Sequence, residues 1–241
     1  NVFTDGKREG YLLVYTDFEN FKYFNRKYGY AAGDQLLRKF TGYIIDTLKK
    51  CSTAHFTRVV ADQFLLFFEE KWNDTSIDAV NRINNGFIER QQRKYPEAKL
   101  RLRTGVYKVE QDCAGASFAI DAANYARHQI QDNSPVTVCV YDKTMADRQN
   151  MENEIATGID KAIRNREFKV YLHPRFSLTT GKIVGAESLV RWQKEDGTLL
   201  PPDSFIPVYE KNGRIIDLDF YMFEETVKLL AKWKEQGLPQ R

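Results

Sequence analysis

Apolar and polar positions along the chain fall into two periods, and the changes between them mark out the elements. Tyr11-Leu12-Leu13-Val14-Tyr15-Thr16 predicts a buried strand that delivers Asp17 to its C-terminal end, where open sheets place ligand groups. Asn20 to Tyr28 predicts a short helix closed by Gly29. Ala31-Ala32-Gly33-Asp34 then leads into a longer helix with Leu36, Leu37, Phe40, Ile44 and Leu48 on one face. Two β-prone runs within residues 55–68 are interrupted by Asp62-Gln63, which is a hairpin pattern with an acid at its tip. Val60-Ala61 is a poor pair for such a turn, because tight hairpin loops favour Gly, Asn or Asp. An amphipathic helix follows from about Thr75 with Ile77, Val80, Ile83, Phe87 and Ile88, closing before Pro96. Leu100 to Val109 is a strand, Ala116 to about Gln131 an Ala-rich helix, and Val136 to Tyr141 a further strand. The order is that of a split-βαβ, palm-like α+β fold with a central, mostly antiparallel sheet.

The second half changes rhythm. A linker helix runs from Tyr141-Asp142 to near Asn165, with Met145, Ile155, Ile159, Ala162 and Ile163 recurring near helical spacing. Phe168 to Pro174 and Ile183 to Trp192 are strands joined through a turn at Thr179 to Lys182, and a later helix bears Phe223, Val227, Leu230 and Trp233. The expected organisation is a first domain over 1–141, a linker helix over 142–166 and a second domain over 167–241.

With 36 basic and 33 acidic residues, the formal charge of +3 shows no electrostatic commitment to nucleic acid or an anionic membrane, so DNA is not an expected partner. Cys51, Cys113 and Cys139 are odd in number and far apart, which fits a reducing compartment and no metal site. Apolar runs such as Phe64 to Phe68 are too short to span a bilayer. The chain is expected to be cytoplasmic, with any membrane attachment made through a region outside it.

Two pairs of residues carry candidate chemistry. In a palm-like sheet the end of the first strand lies beside the hairpin tip, so Asp17 and Asp62 can converge and hold Mg²⁺; alone, each would simply cap a turn. Glu187 and Arg191 lie four apart on a strand and share a face, as a structural ion pair or as a metal ligand beside a phosphate-binding Arg.

Thr16-Asp17-Phe18-Glu19-Asn20-Phe21-Lys22-Tyr23-Phe24-Asn25, Tyr28-Gly29 and Ala32-Gly33-Asp34-Gln35-Leu36-Leu37 resemble the front half of a GGDEF domain, the diguanylate cyclase module. Arg58-Val59-Val60-Ala61-Asp62-Gln63-Phe64 falls where that family's Arg-x-Gly-Gly-Asp-Glu-Phe stands. The resemblance implies a Mg²⁺ or Mn²⁺ site on Asp17, the carbonyl of Phe18 and Asp62, with Lys22 on phosphate and Asn25 and Asp34 reading guanine. Read without it, Asn25 would be a helix C-cap and Asp34 a helix N-cap. Val60-Ala61 replaces the two glycines, so Cβ atoms stand where phosphate would approach a bare backbone. Gln63 replaces the acidic Glu. Around Arg127-His128, where the family carries basic residues for phosphate, the match is loose and Asp132 has the wrong sign. Cys51 and Ala54 occupy the places of the family's inhibitory Arg-x-x-Asp. The expectation is a domain without cyclase activity that retains nucleotide-binding residues.

Leu172-His173-Pro174, Gly185 to Trp192 and Pro202 to Gly213 resemble the start of an EAL domain, the cyclic di-GMP phosphodiesterase, a TIM-like barrel. Glu-Ala-Leu has become Glu187-Ser188-Leu189, and His173 replaces the usual Gln before Pro. The resemblance implies Glu187 as a metal ligand, Arg191 on phosphate and His173 near substrate, in a barrel of which residues 167–241 supply only the N-terminal part. Two functions follow: a catalytically silent GGDEF domain regulating a cyclic di-GMP phosphodiesterase, or a non-enzymatic sensor of GTP or cyclic di-GMP. A nucleotide-polymerising palm shares the Asp17/Asp62 arrangement, but the second resemblance argues against it. The GGDEF resemblance also implies self-association as a homodimer.

Overall fold

The computed structural model describes residues 10–49, 53–69 and 76–237, in which the chain forms two compact units, Asn1–Ala146 and Asp147–Arg241. Cys51, and with it half of the inhibitory-motif comparison, lies outside the described residues. The first unit is built on five strands: β1 (Tyr11–Phe18), β2 (His55–Val60), β3 (Gln63–Glu69), β4 (Leu102–Lys108) and β5 (Val138–Val140), in the order β2-β3-β1-β4-β5. Among the described residues β1 pairs antiparallel with β3 and β4, β2 pairs antiparallel with β3, and β4 and β5 run parallel. The mostly antiparallel α+β sheet expected from the sequence is therefore present.

Central β1 reads as unbroken apolar sequence because helices cover both faces of the sheet. On one side Leu12, Val14 and Phe18 pack with Phe64, Leu66 and Val106 against Leu36, Leu37, Phe40 and Ile44 of α2 (Tyr30–Leu48) and Phe87 of α3 (Ser76–Gln92). A chain of edge-to-face rings links Phe18, Phe40, Phe64 and Phe87 at 5.0–6.1 Å, which adds directional packing to area burial. On the other side Leu13, Tyr15 and Tyr107 meet Ala119, Ala122 and Ala123 of α4 (Ala116–His128). The alanines are there because the strand beneath them has no side chain: a Cβ built on Gly105 would lie 1.8 Å from the Ala123 carbonyl oxygen. Small residues on both elements bring the helix backbone down onto the sheet.

Some expected boundaries move. A short helix, α1 (Phe21–Tyr28), is closed by Gly29 at φ 86°, and α2 begins immediately at Tyr30. Asp34 is consequently inside a helix rather than at its N-cap, and Asn25 is inside α1 rather than at its C-cap. Ile77, expected on the apolar face of α3, is exposed.

Most of α5 (Lys143–Arg164) belongs to the second unit and is more than a connector, since Ile155, Ile159 and Ala162 are buried with Phe168, Trp192, Phe205 and Tyr209 in one core. That core is closed by a sheet in the order β6-β7-β8, namely Phe168–Phe176, Ile183–Gln193 and Leu199–Leu200, and by α6 (Pro202–Asn212) and α7 (Ile215–Glu235). Trp192 satisfies its indole N–H on the buried Glu167 carboxylate at 2.7 Å. The apolar stripe on α7 faces solvent through Phe220, Phe223 and Val227.

Candidate functional site

Period-two alternation decides where Asp17 points. Leu13, Tyr15 and Asp17 share the face of β1 beneath α4, whereas Thr16 faces the other way and meets Thr104 at 2.8 Å, itself bonded by Asn84 of α3. The antiparallel register sets Arg103 of β4 directly opposite Asp17. Arg103 approaches the carboxylate with two nitrogens at 3.4 Å each and reaches Asp132 at 3.1 Å with the third. From the last turn of α4, Arg127 donates from Nη1 to Asp17 Oδ2, and both side chains are buried.

Arg127 is held on every side. Its Nε and Nη2 donate to Asn124 Oδ1 at 3.0 and 2.7 Å, Nη2 lies 2.9 Å from His128 Nε2, and the guanidinium stands 5.1 Å over the Tyr15 ring. A planar fork with partners on its edge and an aromatic face below suits Arg and not Lys. Two positions beyond Asp17, the buried Glu19 carboxylate accepts the Asn133 N–H at 3.1 Å and lies 3.4 Å from Arg101.

The hairpin tip differs from its sequence reading in one respect. Val60 pairs with Gln63, so the turn residues are Ala61 and Asp62, not Val60 and Ala61. Ala61 adopts φ 49°, a left-handed conformation costing a Cβ-bearing residue roughly 1–2 kcal/mol. Arg58 Nε donates to its carbonyl at 2.5 Å. Asp62 Oδ2 accepts the Phe18 N–H at 3.2 Å, which ties the tip to the end of β1. Burial pushes the Asp62 carboxyl above its ordinary range, the Asp17 charge adds to this, and the bonds to backbone N–H groups oppose it. Gln63 turns inward, its Oε1 accepting the Tyr15 hydroxyl at 2.7 Å.

Asp17 and Asp62 are thus brought together, as the topology implies, but Asp17 already carries guanidinium groups on both oxygens. Among the described residues no cluster of three or more His, Cys, Asp or Glu side chains is placed to hold a metal ion. In this arrangement the residues do not fit a divalent cation on Asp17.

The other GGDEF-side residues lie on α1 and α2. Lys22 is exposed on the first turn of α1, and Asp34 is exposed on α2. Asn25 points its Oδ1 into the space left by Gly33, where a Cβ would lie 1.9 Å away, and that buried oxygen has no hydrogen-bond partner among the described residues. Asp34 follows the glycine against which Asn25 rests.

In the second unit the register pairs His173 with Glu187, and Lys169 with Arg191. Glu187 and His173 are both exposed. The structural ion pair open to Glu187 and Arg191 is absent among the described residues; Arg191 donates to the Val190 carbonyl and lies 5.8 Å over the Tyr171 ring.

The model described as "Diguanylate cyclase, GGDEF domain" matches residues 4–134. The chain belongs to the GGDEF family. A second family model, the EAL domain, matches residues 157–241, so a GGDEF unit is followed by a partial EAL unit. Over 240 residues the chain is 27% identical to cyclic di-GMP phosphodiesterase PdeR of Escherichia coli, covering 95% of this chain and 34% of that one. It is 40% identical over 78 residues to probable cyclic di-GMP phosphodiesterase PdeB of the same organism, covering 32% of this chain and 15% of the other. A solved structure of the Vibrio cholerae LapD S helix-GGDEF-EAL region is 18% identical, covering 95% of this chain and 53% of that chain at a TM-score of 0.48. The chain spans about a third of the length of the full-length curated relatives that match both of its units.

The structure brings together Asp17 and Asp62, as sequence reasoning expected, and leaves Asn25 against Gly33; sequence reasoning missed the partners of Asp17. Arg103 was within reach of a register count along two antiparallel strands. Arg127 was visible only as a loosely matched basic position.

Proposed function

We propose that this chain is the GGDEF–EAL junction of a bacterial cyclic di-GMP signalling protein whose GGDEF unit makes no cyclic di-GMP and regulates a phosphodiesterase. The observation that carries the reading is the Val60–Gln63 turn. Its glycines are replaced, Ala61 is strained into a left-handed conformation, and Gln63 is turned onto Tyr15 in place of an acid. A phosphate cannot approach this backbone as it would a bare glycine pair, and no carboxylate is available at position 63 to take up a proton. Relatives named as cyclic di-GMP phosphodiesterases support the direction of the reading.

In the EAL unit, Glu187 is the proposed ligand for Mg²⁺ or Mn²⁺, Arg191 the phosphate contact and His173 the neighbouring polar group, completed by strands of a longer protein. In the GGDEF unit, GTP or cyclic di-GMP is read by Asn25 and Asp34, with Lys22 on phosphate. The second reading is a sensor in which the same residues bind the nucleotide and neither unit is catalytic. Self-association of the GGDEF unit belongs to the same proposal.

Incubating the chain with GTP and Mg²⁺ tests the first half; no cyclic di-GMP is expected, and any product overturns the reading of the turn. Calorimetry with GTP should give heat that Asp34→Ala abolishes. Cyclic di-GMP hydrolysis by the longer protein, with and without GTP, separates a regulated enzyme from a pure sensor.

A further inference from the structure

We propose that Arg127 is the resident cation of the GGDEF half-site, its guanidinium together with Arg103 taking the place on Asp17 that a divalent ion would hold. The inference concerns the fate of Asp17 alone and stands whether or not the unit reads a nucleotide.

A carboxylate buried at the end of a central strand needs compensating positive charge, because leaving it unpaired in a low-dielectric setting is costly. Here that charge comes from the protein. Arg127 is itself only 3% exposed, and its guanidinium is fixed by Asn124, the Tyr15 ring and His128 before Asp17 is considered. A side chain so constrained loses little further freedom on pairing and has no solvated alternative into which to retreat. Arg103 closes the other edge of the carboxylate from the neighbouring strand.

The charge on Asp17 is matched without an ion. Asp17 itself is more than matched, since Arg103 and Arg127 both reach it while Asp132 shares only Arg103, and Asp62, the acid a metal would need to share, is spent on the Phe18 N–H. A divalent ion entering beside Asp17 would have to expel Arg127 from its packing or stand next to two guanidinium groups. Mg²⁺ in particular demands near-ideal octahedral oxygen geometry and gives up its water reluctantly. It follows that the GGDEF unit keeps its structure at any divalent-ion concentration, and that metal dependence in the longer protein resides elsewhere.

The test uses Mn²⁺ as a probe on the full chain, read by paramagnetic broadening of the Phe18 and Asp62 amide resonances after EDTA treatment. The wild-type chain should show no broadening at these amides, and its unfolding midpoint should be the same in EDTA and in Mg²⁺. The double variant Arg103→Met/Arg127→Met should gain broadening there, and adding Asp17→Asn should remove it. Broadening of Phe18 or Asp62 in the wild-type chain overturns the proposal. So does a double variant that folds and still takes no Mn²⁺, since the two guanidinium groups would then not be what excludes the ion. Should the double variant fail to fold, the wild-type spectrum decides alone.

Discussion

Tyr209 ends inside the aromatic core of the second unit, fully buried between Phe168, Trp192 and Phe205, with a hydroxyl that finds no hydrogen-bond partner among the described residues. Burial also raises the pKa of that phenol, so the fold loses stability wherever the unfolded chain ionises it first, above its ordinary value of 10.0. Tyr209→Phe keeps the ring and removes the orphan oxygen. It should stabilise the unit by about 1 kcal/mol, read as a higher denaturant midpoint, and flatten the loss of stability at alkaline pH. Asp62 gives the corresponding acid-side case. Its carboxyl is raised by desolvation above the ordinary aspartate value of 3.8, so the folded chain holds this proton more tightly than the unfolded chain. That contribution is fully present below 3.8 and is lost as pH rises through the folded value. Asp62→Asn, which keeps an oxygen for the Phe18 N–H, should therefore be more stable than wild type at neutral pH. The difference should close in acid, and urea midpoints across the pH range will show whether it does.

At the scale of elements, the contact between α4 and β4 carries the geometry of the site. Gly105→Ala would drive a methyl group into the Ala123 carbonyl, lift the helix that bears Arg127, and cost about 3 kcal/mol with a changed near-ultraviolet circular dichroism spectrum. Gly42 is the contrasting case, exposed on α2 with nothing among the described residues within 4 Å of an added Cβ; Gly42→Ala should raise stability by about 1 kcal/mol in the same assay. These two glycines look alike in the sequence, and only the packing separates them. The strands and long helices were legible because burial on one or both faces imposes its period on the residues, as in Leu36, Leu37, Phe40 and Ile44. The hairpin tip was read one residue too early, because a left-handed Ala61 contradicts local preference and is tolerated only with Arg58 and β-pairing around it. The two-residue β8 carries too few positions for any period to register. The placement of Asp17 at the end of its strand was legible, whereas its partner on α4 was not, since no local pattern encodes an ion pair made across a sheet.

For the whole molecule, the same ion pair has a kinetic meaning. Asp17 and Arg127 are separated by 110 positions in the chain, so they meet only after β1, β4 and α4 have all docked. Long-range contacts of this kind are paid for in loop-closure entropy before they return anything, and in a nucleus built first on local helices and hairpins they belong to the late steps. Breaking the pair by Asp17→Asn should cost about 3–5 kcal/mol, because Arg127 is left buried without its counter-charge. Stopped-flow chevrons should place nearly all of that loss in the unfolding limb, leaving the folding rate close to wild type. The guanidinium that settles the charge of the site would then also act as a latch, setting how long the folded unit lasts once formed rather than how quickly it is reached.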